Sequence, residues 1–177
     1  MSIKIIDTSF SIDKPCQYRI FKTSGFTVAT ILYNEVVVGL KFGSNTIDQE
    51  ICAEYISAKP TNKVGQELTL QLEAYFKGNK INFDCMIDLW WASDFSRKVL
   101  VNCINVDYGK TISYGQLASS ACSPKAARAV GSVMANNHIP IIIPCHRVLR
   151  SDGTIGQYSA AQGSTTKQKL LTMETLK

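Results

Sequence analysis

Apolar and polar positions change rhythm twice along this chain. Between residues 18 and 42, three runs rich in β-branched and aromatic residues (18–22, 26–32 and 36–42) read as strands, with Asn34-Glu35 as the turn joining the last two. The period then becomes helical. Ser44-Asn45-Thr46 offers N-caps for a helix to about residue 57, ended before Pro60. A second helical pattern covers about 63–76, with Leu68, Leu72, Tyr75 and Phe76 on one face and Gly78 as its stop. Residues 81–87 predict one further strand. Trp90-Trp91-Ala92 marks a boundary, and the paired tryptophans are assigned to packing.

Beyond the boundary the chain reads as mostly helical. Ser93-Asp94 caps a helix to about residue 105, with Phe95, Val99, Leu100 and Cys103 inward. A turn over 108–114 leads to two helices, 114–121 and 124–136. They are joined through Cys122-Ser123-Pro124, with Ser123 as N-cap and Pro124 in the first helical position. Two helices so closely joined predict a helix-turn-helix. Three isoleucines bracketed by Pro140 and Pro144 predict a buried strand or an extended core segment. Ser151-Asp152-Gly153 is a turn, and a closing helix runs over about 167–176 with Leu170, Leu171 and Met173 apolar. The expected fold class is α/β (α+β). A small N-terminal sheet domain with helices, 1–90, serves a structural role, and a mostly helical domain, 91–177, carries the chemistry.

Charge sharpens that division. Residues 1–90 carry 9 Lys+Arg against 10 Asp+Glu, and residues 91–177 carry 10 against 4, so balances of −1 and +6 make up the net +5. A basic second half implies an anionic partner there, nucleic acid being the usual one. The six cysteines lack any C-x-x-C spacing and only two histidines exist, which argues against a zinc site and for reduced thiols. No metal and no organic cofactor is expected. The N-terminus does not read as a signal peptide, and no run reaches the ~20 apolar residues of a membrane span, so the expectation is an intracellular protein with no membrane partner.

Cys145, at the end of the isoleucine run and followed by His146 and Arg147, is the candidate nucleophile, since both neighbours favour a thiolate. The competing reading is an inert buried cysteine, the commoner fate of a thiol. The helix before it is unusual in its small residues, Ala126, Ala127, Ala129, Gly131, Ser132 and Ala135, around a single large polar one, Arg128. Such a face lets a backbone approach another helix or the floor of a minor groove only about 6 Å wide. For Arg128 alone, a surface ion pair is the plainer assignment.

Pro144-Cys145-His146-Arg147-Val148 resembles the active-site motif of the O6-alkylguanine-DNA alkyltransferases, and the likeness runs from about Phe95 to Glu174. The resemblance implies irreversible, stoichiometric transfer of an alkyl group from O6-alkylguanine in double-stranded DNA, and from O4-alkylthymine, to Cys145. It also implies minor-groove binding and nucleotide flipping. Lys125-Ala-Ala-Arg-Ala-Val-Gly131 looks like the recognition helix, with Lys125, Ala127, Ala129 and Gly131 against DNA and Arg128 filling the space of the flipped base. His146 oriented by Glu174 would accept the thiol proton, Tyr114 would donate to the base, and Asn137 would tie helix to site. Val148, Ile155, Gly156, Tyr158 and Ser159 would line the substrate pocket. Where the family usually has two glycines this chain has Ala160 and Ala161, which bears on pocket width. The likeness implies a monomer, cytoplasmic in a prokaryote and nuclear in a eukaryote, and leaves cooperative loading on DNA open. Two other functions compete with this one: a non-catalytic binder of alkylated DNA, and a Cys-His hydrolase unrelated to DNA.

Thiolate formation alone does not supply the rate. With a pKa of ~8.5 about 3% of a thiol is ionised at neutral pH. Lowering it to ~5 raises that fraction about 30-fold, but a Brønsted slope of ~0.45 lowers nucleophilicity about 40-fold. Positioning and proton donation to the leaving base must carry the remainder.

Overall fold

A computed structural model of the protein describes residues 3–23, 25–43, 46–156 and 163–175. They form two compact units, Met1–Trp91 and Ala92–Lys177.

The first unit is built on a sheet of β1 (Lys4–Ile5), β2 (Gln17–Lys22), β3 (Thr27–Tyr33), β4 (Val36–Phe42), β5 (Lys59–Pro60) and β6 (Met86–Ile87), ordered β1-β6-β4-β3-β2-β5. The β2–β3–β4 meander is antiparallel, while β1, β5 and β6 pair in parallel. Asn34 and Glu35 both adopt positive φ (50° and 66°), the geometry that joins two strands in a two-residue turn. Helices α1 (Ile47–Glu54) and α2 (Gln66–Phe76) cover the sheet. Ile47, Ile51 and Tyr55 pack with Ala29, Ile31 and Val38, and Phe76 meets Phe26 and Phe42. Ala29 and Ile31 alternate with Val28, Thr30 and Leu32, so β3 is buried on both faces. Gly39 is required where it stands, because a Cβ there would overlap the Tyr55 hydroxyl.

Several boundaries differ from the sequence reading. The α1 helix stops at Glu54, about three residues early, and the expected caps Ser44 and Asn45 lie outside the described residues. Gly65 turns left-handed (φ 68°), so α2 begins at Gln66 rather than 63. Residues 81–87 contribute only β6.

The second unit contains α3 (Asp94–Ile104), β7 (Ile112–Ser113), α4 (Tyr114–Ser120), α5 (Ala127–Ala135), a 3-10 turn (Cys145–Arg147), β8 (Val148–Leu149) and α6 (Ser164–Thr175). Ser93 caps α3 by accepting from Ser96 N. Ser113 and Gln116 cap α4 reciprocally, at 3.1 and 2.8 Å. Helices α3, α4 and α5 pack on one another, with Val99, Leu100, Cys103, Leu117, Ala118, Val130, Val133 and Met134 buried. Phe95, expected inward, is half-buried.

Two expectations fail here. Pro124 does not start α5: Ala126 N bonds Ser123 O at 2.9 Å, making 123–126 a turn with Pro124 in the second position that proline favours. The connection is therefore six residues long. Nor is the isoleucine run a strand. Ile143 N reaches back to Ile139 O (3.0 Å), and Ile141 takes φ 75°, so the segment closes into a buried turn. Proline lacks the N–H that a sheet interior requires, which explains why this apolar run folds on itself.

Candidate active site

The buried turn delivers Cys145 as the first residue of the 3-10 turn, 3% exposed. Asn137 spans the turn. Its Oδ1 accepts from Ile139 N (3.0 Å), and its Nδ2 donates to Ile143 O (2.9 Å) and to Cys145 Sγ (3.1 Å). One side chain thus closes the loop and holds the sulfur.

His146 is fully buried, and its Nε2 lies 2.9 Å from Glu174 Oε1. Arg147 grips the same carboxylate with two parallel bonds, Nε to Oε2 and Nη2 to Oε1, both 2.9 Å. Its Nη1 donates to Val106 O at 2.6 Å, and its guanidinium stands over the Tyr108 ring at 5.7 Å. Gly109 N supplies a fourth bond to Glu174, at 3.1 Å to Oε2. Gly109 needs φ 71° and comes so close that a Cβ would sit 3.1 Å from Glu174 O.

These bonds set the protonation states. Burial alone would raise the Glu174 carboxyl, but the bonds and charges of His146 and Arg147 outweigh it and hold the acid well below the usual carboxylate range. Glu174 is therefore ionised, and His146 carries its ring proton on Nε2. Burial depresses the His146 pKa; Glu174 opposes this, and the charges of Arg147 and Lys167 add to it. Tyr114 is half-buried, and burial together with the Cys145 charge keeps its phenol protonated. A Cβ on Gly156 would fall 2.6 Å from the Tyr114 hydroxyl, so this glycine lets the phenol lie close to the backbone.

Among the predicted residues, the structure brings Asn137, Cys145, His146 and Glu174 together. Tyr114 lies near by, beside Gly156 and under Lys167. Val148 and Gly156 are buried and Ile155 is half-buried. Tyr158 and Ser159, with Ala160 and Ala161, lie outside the described residues. Arg128, Lys125 and Ala129 are exposed, Ala127 and Gly131 are partly so, and a Cβ on Gly131 would meet nothing within 4 Å. The small-residue side of α5 is thus open, while Val130, Val133 and Met134 face the core. Among the described residues no cluster of three or more metal-ligating side chains occurs, the cysteines form no disulfide, and no helix is long and apolar enough to cross a membrane.

Sequence reasoning missed Arg147 as the bidentate partner of Glu174, and it missed Gly109 and Lys167 entirely. Lys167 had a usable signal: it precedes Leu170 by three residues and Glu174 by seven, so one helical face carries all three. Its Nζ donates to Val148 O at 2.5 Å.

Residues 94–176 match the model of the 6-O-methylguanine DNA methyltransferase DNA binding domain. The methylated-DNA–protein-cysteine methyltransferase of Mus musculus is 44% identical over 114 residues, 61% of this chain and 54% of that protein, so the chain spans about half the length of that relative. The protein of the same name from Mycobacterium leprae is 36% identical over 72% of this chain and 76% of its own. The crystal structure of Mycobacterium tuberculosis O6-methylguanine methyltransferase superposes with a TM-score of 0.79 at 31% identity, covering 90% of this chain and 93% of that one. That of Mycobacterium tuberculosis OGT in complex with DNA gives 0.77 at 31% identity, covering 90% and 92%. At that identity and coverage, the chain belongs to the methylated-DNA–protein-cysteine methyltransferase family.

Proposed function

We propose that the protein repairs DNA by direct reversal, moving the alkyl group of O6-alkylguanine in a duplex onto Cys145 once per molecule. The observation that carries this reading is the sulfur held by the Asn137 amide in the segment that also presents His146 to Glu174. Helix α5, with its small open face and Arg128, binds the minor groove as the second element of a helix-turn-helix, and Arg128 occupies the place of the flipped nucleotide. Flipping costs a few kcal/mol and exposes a substituent otherwise inside the stack.

In the transfer, the Cys145 sulfur attacks the alkyl carbon, the new S–C bond replaces the C–O6 bond, and the electron pair of the broken bond stays with the base. His146, whose Nε2–H is held by Glu174, takes the thiol proton on Nδ1, directly or through a water. Tyr114 donates a proton to the base ring as charge develops there. The overall change is thiol plus alkylguanine to thioether plus guanine, which balances without metal or cofactor. The carbonyls of Cys145 and Val148 receive the exocyclic amine, and Ile155 and Gly156 border the pocket. The same site acts on O4-alkylthymine.

The test is a duplex carrying radiolabelled O6-methylguanine. One label per protein molecule is expected, on the Cys145 peptide, and none in Cys145→Ala. Tight binding without label would make the protein a damage binder instead, and neither binding nor label would remove the DNA reading.

A further inference from the structure

From the buried Val148 the chain reaches solvent in two residues, Leu149 half-buried and Arg150 exposed. The backbone fixes where that arginine emerges. Strands β7 and β8 run parallel with Ser113 opposite Leu149, so Tyr114 and Arg150 are the next residues out of the ladder, one on each strand. Arg150 N donates to Thr154 O and Gly153 N to Arg150 O, both at 3.0 Å, and Gly153 takes φ 79°, so residues 150–154 close into a tight turn. The turn returns the chain to Gly156, where a Cβ would sit 2.6 Å from the Tyr114 hydroxyl. Arg150 therefore stands at the edge of the pocket, tied to the surroundings of Tyr114 along both stretches of chain. In keeping with that placement, burial and the Cys145 charge raise the Tyr114 phenol while the Arg150 charge opposes them. The side chain is lightly held. Its Nη1 approaches Thr154 Oγ1 at 3.5 Å, a marginal hydrogen bond. The acid of the same turn, Asp152, gives Oδ1 to Thr154 N and Oγ1 at 2.9 and 2.6 Å.

We infer that Arg150 is a specificity-determining contact of the repair reaction, its guanidinium taking a phosphate that flanks the extruded nucleotide. Rotating a nucleotide out of the stack carries its sugar along and swings the flanking phosphates off the helical path. Exposed Lys125 and Arg128 belong to the α5 side, which meets the duplex, whereas a displaced phosphate arrives at the edge of the pocket. An anion there requires a cation, and the planar fork of arginine matches two phosphate oxygens at once. The turn over 150–154 holds the arginine backbone in place, so less freedom is lost when the contact forms. A phosphate still in the regular duplex does not reach this edge. Arg150 thus stabilises the extruded state and not the encounter with DNA, and it offsets part of the cost of unstacking.

The inference rests on the proposed function, because only transfer to an extruded base brings a phosphate to this edge. Its test is a cycle of protein and substrate changes, read as the rate of methyl transfer to the full chain at limiting DNA. Each rate on a duplex carrying O6-methylguanine is divided by the rate on the free O6-methylguanine base, which has no phosphate. In Arg150→Gln this ratio is expected to fall about tenfold, the scale of one charge-assisted contact. Two further duplexes carry an uncharged methylphosphonate in place of the phosphate on one side or the other of the modified nucleotide. For one of them the wild-type ratio should fall by a similar factor, and Arg150→Gln should then add no further loss. An unchanged ratio in Arg150→Gln overturns the inference and leaves Arg150 a solvated surface residue. Losses that multiply for both methylphosphonates overturn it too, since the arginine would then act elsewhere on the DNA. The two readings fail separately. A wild-type protein that takes no methyl group from either substrate removes the proposed function and this inference with it, whereas normal wild-type transfer without the coupling removes the inference alone.

Discussion

Glu174 accepts four hydrogen bonds from three residues on two stretches of chain, and it is the residue on which the chemistry and stability of the site meet. Leaving Arg147 buried without its carboxylate costs ~3–5 kcal/mol, the usual penalty for removing one member of a buried pair. Glu174→Gln is therefore expected to lower unfolding free energy by about 3 kcal/mol at pH 7. The pH dependence has a definite sign. The folded-state pKa of Glu174 is depressed, so its stabilisation is fully present above an unfolded carboxyl pKa of about 4.3 and is lost as pH falls toward the folded value. Urea unfolding at pH 7, 5 and 3.5 should show the gap between wild type and variant closing in acid. A gap of constant size would mean that the carboxylate charge is not what Arg147 needs.

At the scale of elements, local conformation separates what the sequence disclosed from what it hid. The β2–β3–β4 meander, α2, α3 and α6 were legible because side-chain period and cap residues agree with the final packing. The Ile139–Pro144 turn was not, because β-branched residues argue for a strand whereas two prolines and a left-handed Ile141 impose a turn. The start of α5 was misplaced for a related reason, since proline suits both the first helical position and the second turn position. At the site, Cys145, His146 and Asn137 were readable from their motif, but Gly109 and Arg147 join Glu174 across long sequence separations that no spacing rule detects. Cys122 offers a test of this local reading. It is exposed, with φ 58°, and an L-residue pays ~1–2 kcal/mol for that conformation. Cys122→Gly should raise the unfolding free energy by up to about 1 kcal/mol, measured by thermal melts; a loss would mean that the thiol makes a contact worth more than the strain.

Across the whole molecule, charge is divided so that the second unit is basic and the first is near neutral. If Lys125, Arg128 and their neighbours meet phosphates, log K for duplex binding should fall linearly with log salt, by ~0.9 per phosphate neutralised. Arg128→Ala should reduce reaction with duplex substrate more than reaction with the free modified base, and equal losses on both would exclude its role inside the helix. Assembly of the second unit also has a built-in reporter. The Gly109 amide bonds to the Glu174 side chain and belongs to no helix or strand ladder, so its protection against deuterium exchange requires α6 to be closed over the 3-10 turn. The lifetime of that one proton in heavy water times how often the carboxylate lets go.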